Sequence, residues 1–591
     1  MPGAIVRAHR EETMPQKMSW PRPHRPNVMG TRHVISAGHY LAAEAGFRIL
    51  EAGGNAIDAG VAAGIALNVL ESQMCCFAGV APTIIYLAAS GETVSIDGLG
   101  TWPKAATCAY FNEHHPGPVP EGILQTIVPA APDAWITALE RYGTITFGDA
   151  AAAAIRLARD GFPMHAQMSA RVKAREIDFI DQPESAAIFL PGGRAPELGE
   201  VFVQADLAKT LQFLADEEAA KGAKGREAGL QAVRDAFYKG DIADAIVRFQ
   251  AANGGLLTAE DMAGYRVTIE PPQHYRFRDV DVFSCGPWCQ GPMLLQALAL
   301  LEGFDLAALG HNSADYVHTL VEAIKLAAAD REAYYGDPKF VDVPMDQLLS
   351  RAYADSRRAM IRPGEAWPEM PPAGDAGASA QAGAPAAAAG RHVDRALDTT
   401  YLCVMDGQGN AFSCTPSDGV MRKTPVVPGT GLYPSGRGNQ SRTEPDHPSA
   451  IAPGKRPRLT PNPALAIREG KEVMPFGTPG GDQQTQVMLQ MFLNRYAFGM
   501  DPQTAIDAPR FGSMSFPDSF SPHDYFPGLL KLEHTFDQAL GEDLAARGHK
   551  VEWWAEDEWL PSGVCAVAKD LKTGVLWGGA DRRRTCYALG W

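Results

Sequence analysis

Asp398-Thr399-Thr400-Tyr401-Leu402-Cys403-Val404-Met405, then Asp406-Gly407-Gln408-Gly409, then Ala411-Phe412-Ser413-Cys414-Thr415, is the stretch whose reading decides the fold. The apolar and β-branched runs Tyr401–Met405 and Ala411–Thr415 flank a Gly-rich turn and predict a β-hairpin. Upstream, Pro371 to Gly390 is nearly all Ala, Gly and Pro, a composition that cannot pack and that by itself reads as an interdomain linker. A tether that runs into a threonine at the start of a strand predicts a chain cut between Asp398 and Thr399. The new terminus would then carry a nucleophile and a base on one residue, because the hydroxyl attacks and the α-amine, with an ordinary pKa of about 7.7–8.0, takes the proton. The competing reading of Thr399-Thr400 is a β-branched strand start without chemistry.

The rest of the chain narrows the class. Its 591 residues allow several domains, and 46% hydrophobic with 21% charged residues is an ordinary globular composition. A net charge of -16 argues against a nucleic-acid partner, which needs a basic face. No apolar run is long enough to cross a bilayer, and Met1 to Pro26 holds no apolar signal core. Nine cysteines without a paired C-x-x-C array predict a reduced, cytoplasmic setting. The histidines are scattered, His114-His115 reads as part of a solvated Pro/Gly loop, and neither a metal nor another cofactor is expected.

Outward from the hairpin, residues 1–32 read as a flexible arm. Helices are expected over Tyr40–Ala52, from an Asn55 cap to about Leu70, over Ala131–Tyr142 and Phe147–Asp160, through 205–250 with a polar insert at Ala219–Glu227, over Gln296–Leu301, from Asn312 or Ser313 to Ala329, and over Gln484–Tyr496. Strands are expected at Thr83–Leu87, Thr93–Asp97 and Tyr275–Phe283, with a closing pair near Val564–Gly578. Val426–Pro457 reads as a long loop. The cut would divide the chain into 33–398, ending in a linker at 371–397, and 399–591.

Several segments together resemble the γ-glutamyltranspeptidase family of N-terminal-nucleophile hydrolases. They include Ile49 to Ala59 (ILEAGGNAIDA), Arg141-Tyr142-Gly143-Thr144, Gly254-Gly255-Leu256-Leu257-Thr258, Glu322 to Leu326, Gly336-Asp337-Pro338, Pro453 to Pro457, Pro479-Gly480-Gly481 and Ala508-Pro509-Arg510-Phe511. Their order and spacing, from about residue 33 to Trp591, carry the resemblance. It implies an α+β fold, a four-layer αββα sandwich, made as a proenzyme that cuts itself before the threonine into large and small chains that stay associated. The family includes single heterodimers and pairs of heterodimers.

The resemblance also implies roles. Thr399 would be the nucleophile and Asp398-Thr399 the cleavage site. Gly480 and Gly481 would supply oxyanion-binding backbone N–H groups, and Ser417 would stand for a second threonine that hydrogen-bonds the nucleophile. Thr460 is either a substrate contact or a turn residue, and Asp482, directly after the glycine pair, is a candidate substrate contact. The pattern departs at the substrate grips. Leu99 stands where the family places an arginine for the glutamyl α-carboxylate, Tyr433 to Asn439 lacks the acidic residues that hold the α-amine, and Asp418-Gly419 replaces an expected asparagine. Losing charged contacts of this kind rejects a substrate. Arg437-Gly438, Asp446-His447-Pro448 and Asn462-Pro463 instead resemble the branch of cephalosporin-acylase-like and oxamate-amidohydrolase-like members. Arg437 is then either the grip for a carboxylate or carbonyl of a non-glutamyl acid or a solvated loop arginine. Trp102, Trp288 and Cys289 either line an acyl pocket or pack in the core.

The expected function is therefore self-processing hydrolysis of a small-molecule amide. The rivals are a γ-glutamyl enzyme with a rearranged pocket, and an unprocessed scaffold on the same fold.

Overall fold

The computed structural model describes residues 23–377, 398–419, 424–556, 558–559 and 562–591. Most of the expected linker, 378–397, and the first 22 residues of the expected arm lie outside them. Two antiparallel seven-stranded sheets form the centre. One is ordered 28–30, 576–580, 565–570, 472–477, 464–468, 280–284, 273–277, and the other 587–590, 34–37, 402–405, 411–414, 83–87, 92–96, 269–270. Residues 23–32 are thus not a loose arm throughout, because Val28–Gly30 pairs with Leu576–Gly578 along a sheet edge.

Side-chain alternation builds the layers, since successive residues of a strand point to opposite faces. Leu402 and Val404 face outward into a core shared with helices 40–51, 56–70, 131–142 and 147–160, while Cys403 and Met405 face the other sheet. In the second sheet Met474 and Phe476 face helices 291–301, 314–334 and 483–496, while Val473 points to the middle. Helix, sheet, sheet, helix is the resulting order, the four-layer αββα sandwich expected.

Local signals set the helix bounds. The Asn55 side chain accepts from the N–H groups of Ile57 and Asp58, and the Asp58 carboxylate accepts from Asn55 N at 3.0 Å, a complete capping box. Ser313, not Asn312, caps the 314–334 helix. The 205–250 stretch is three helices, 205–222, 226–238 and 241–252, broken at Gly225 and Gly240. Tyr275–Phe283 is a hairpin rather than one strand, with Arg278 at its turn in a positive-φ conformation. His114 ends a short helix, 108–114, instead of lying in a loop.

Candidate active site

The strand 402–405 lies inside its sheet, between 34–37 and 411–414. Its leader is fixed as firmly: Gly38 N donates to the Tyr401 carbonyl and Thr400 N donates to the Pro416 carbonyl, both at 3.0 Å. Thr399 is therefore held at the sheet's end, buried, with its hydroxyl against the carbonyl oxygen of Asp398. Ser417 Oγ stands 2.7 Å from Thr399 Oγ1 and 3.3 Å from the Asp398 oxygen. Ser417 owes its place to a two-residue strand that pairs with 75–80.

Arg437 completes the cluster. Its Nη2 donates to Asp398 Oδ1 at 2.8 Å and also to Ser417 Oγ. With that oxygen accepting from the guanidinium, the Ser417 proton is free to point at the Asp398 carbonyl while the Thr399 proton points at Ser417. Arg437 is fully buried, not a solvated loop arginine. Asp418, at a positive φ of 89°, accepts from Gly436 N at 3.3 Å and from Ser435 Oγ, which fixes the turn that aims Arg437. Phe520 stacks on the guanidinium, 5.4 Å from ring centroid to Cζ.

The glycine loop follows strand 472–477 and opens helix 483–496. Gly480 and Gly481 have φ of 124° and 56°, conformations that a side chain disfavours, and a Cβ on Gly480 would stand 2.9 Å from Ser562 Oγ. Ser562 braces this loop by donating to the Pro479 carbonyl. Gln290 Nε2 donates to the carbonyls of Gly481 and Thr460, each at 2.9 Å. Arg584 ties the two halves of the site. It donates to the Thr399 carbonyl at 3.5 Å and to the Trp559 carbonyl, beside the segment that carries Ser562. Burial pulls the Arg584 pKa below the usual guanidinium range.

Thr399, Ser417, Asp398 and Arg437 thus form one hydrogen-bonded group, with Arg584 reaching from the Thr399 carbonyl to that of Trp559, and Ser562 holding the glycine loop at Pro479. Other expected contacts are spent elsewhere. Asp482 binds Arg331 and accepts from Ser519 N and Ser519 Oγ at 2.7 Å each, so it anchors the loop's far side. Thr460 Oγ1 accepts from Gln440 Nε2 at 2.8 Å. Leu99 packs in the apolar cluster between the sheets with Trp102, Trp288 and Cys289, all four buried. Sequence reasoning missed Gln290, Ser562 and Arg584. Arg584 had the weakest signal, as the last of a run, Arg582-Arg583-Arg584, that reads as solvated charge.

All nine cysteines are free and buried. No helix among the described residues is long and apolar enough to span a membrane. Scattered histidines do converge at one point away from the site: ligating atoms of His318, Glu322 and His549 lie within 4.8 Å of one another. The buried Lys325 ammonium already pairs with Glu322 there at 2.7 Å.

Comparison with known proteins agrees with this architecture. A model of the family described as gamma-glutamyltranspeptidase matches residues 42–591. The Acylase ACY 1 proenzyme of Pseudomonas sp. (strain SE83) is 34% identical over 565 residues, covering 93% of this chain and 92% of that protein. The glutathione hydrolase proenzyme of Escherichia coli (strain K12) is 31% identical over 575 residues, covering 94% and 91%. The crystal structure of cephalosporin acylase from Bacillus halodurans superposes with a TM-score of 0.83 at 30% identity, covering 98% of this chain and 99% of that one. With a family model matching from residue 42 to the last residue, relatives made as proenzymes and a solved acylase superposing along nearly its whole length, the chain belongs to the γ-glutamyltranspeptidase family of N-terminal-nucleophile hydrolases.

Proposed function

We propose that this chain cuts itself between Asp398 and Thr399 and then hydrolyses a small-molecule amide, other than a γ-glutamyl one, through an acyl-enzyme on Thr399. The observation that carries this reading is the Thr399 hydroxyl lying against the Asp398 carbonyl, with Ser417 2.7 Å from its oxygen. In self-cleavage the Thr399 oxygen adds to the Asp398 carbonyl carbon, the peptide C–N bond breaks, and water opens the resulting ester. In turnover the freed α-amine accepts the Thr399 proton and passes it to the leaving amine. An ester remains on Oγ1, and water hydrolyses it. The N–H groups of Gly480 and Gly481 take the developing oxyanion. The large and small chains stay together as one enzyme in the cytoplasm.

Leu99 in the core and the absence of a carboxylate from Tyr433–Asn439 support the exclusion of γ-glutamyl groups. On a denaturing gel the purified protein is expected to give two bands, with Thr399 as the first residue of the smaller. Thr399→Ala is expected to give one intact chain without activity. An unbroken 398–399 bond in folded wild-type protein after long incubation at neutral pH overturns the proposal.

A further inference from the structure

Arg437 is fully buried, and only part of its hydrogen-bonding capacity is used. Nη2 serves Asp398 and Ser417, whereas Nε and Nη1 find no acceptor among the described residues. Buried donors left unpaired are costly, and a buried guanidinium needs a counter-charge. In the uncut chain that counter-charge is the Asp398 side chain, which also accepts from Gly419 N at 3.1 Å through Oδ2. Asp398 becomes a chain end when the bond is cut, and its carboxylate is then free to leave Arg437 and the Gly419 N–H. Once Asp398 leaves, Nη2 together with the neighbouring Nε or Nη1 offers the paired N–H groups of a planar fork, which is shaped for a carboxylate.

The nucleophile fixes the length of the acid that fits. Thr399 Oγ1 lies against the carbonyl of Asp398, and the atoms from there to the gripped carboxylate are the carbonyl carbon, Cα, Cβ and Cγ. We infer that Asp398 is an internal template for the substrate, and that the processed enzyme selects monoamides of a four-carbon dicarboxylic acid, with Arg437 and the Gly419 N–H holding the far carboxylate. This inference rests on the proposed Thr399 chemistry and adds the class of acyl group to it. In the reaction, Oγ1 adds to the amide carbonyl, the C–N bond breaks, the amine departs with the Thr399 proton, and water releases the free diacid from the ester. The same ion pair makes Arg437 a positioning residue for self-cleavage, since it holds the residue whose carbonyl is attacked.

Two measurements test this. Self-cleavage, followed on denaturing gels, is expected to slow about tenfold or more in Asp398→Asn and Asp398→Ala. Wild-type rates in both overturn the template. Binding to the processed protein, read by calorimetry, is expected to be at least about tenfold tighter for succinate than for butyrate, with malonate and glutarate weaker than succinate. Arg437→Gln is expected to remove that preference, and Arg437→Lys to restore part of it in case the neutral variant misfolds. Equal binding of succinate and butyrate by a protein that is cut, and that acylates at Thr399, overturns the inference and leaves the amidohydrolase reading standing. A chain that never cuts overturns both.

Discussion

Ser417 stands at the crossing of three hydrogen bonds, from Thr399, to the Asp398 carbonyl and from Arg437, and its hydroxyl rather than its size performs that task. Ser417→Ala is expected to slow both self-cleavage and amide hydrolysis by about 10²-fold, and Ser417→Thr to keep most of both, as gel densitometry and steady-state rates would show. The position proposed for the nucleophile stood out in the sequence because two independent signals meet at it, a tether that cannot pack and a strand that must. The charge on Arg437 was legible but its burial was not. Burial there depends on Phe520 and Asp398, 83 and 39 positions away, and no local pattern encodes such contacts. Gln290 and Ser562 were invisible for the same reason, since a glutamine or serine gains a role only from the distant carbonyl it reaches.

Helices announced themselves where their caps are local. Asn55 and Asp58 close a box within four residues, and the 56–70 helix follows as expected. A Cβ on Gly60 of that helix would run into the Phe412 ring, so the residue sets how closely helix and sheet approach. Sheet order was not legible, because pairing joins Val28 to Gly578 across most of the chain. The loop that presents Gly480 and Gly481 illustrates a tertiary element held by side chains. Gln290 clamps one side and Ser562 the other. Gln290→Leu removes the donor to the Thr460 and Gly481 carbonyls, and is expected to cost about 1–3 kcal/mol in urea unfolding. It is also expected to lower the rate of amide hydrolysis while two chains still form.

Across the whole molecule, burial holds several histidines neutral. It pulls the pKa values of His39, His447 and His549 down to about 3, about 4 and about 2. An unfolded-state histidine titrates near 6.5, so below that pH the unfolded chain takes up protons that the folded one refuses. The stability these neutral histidines contribute is present above about pH 6.5 and is lost as the pH falls toward their folded values, about 4 for His447, about 3 for His39 and about 2 for His549, by up to about 1.4 kcal/mol per pH unit for each. Urea midpoints measured between pH 7 and 5 are expected to fall accordingly. A further consequence lies in the order of the strands. Strands from before and after position 398 are hydrogen-bonded to one another in both sheets: 34–37 is gripped between 587–590 and 402–405, and 464–468 meets 280–284. A molecule nicked there therefore has no seam along which to come apart. The fragments can part only by melting, and having parted they must find each other again by diffusion, so a fold assembled once as a single thread becomes hard to rebuild from its pieces.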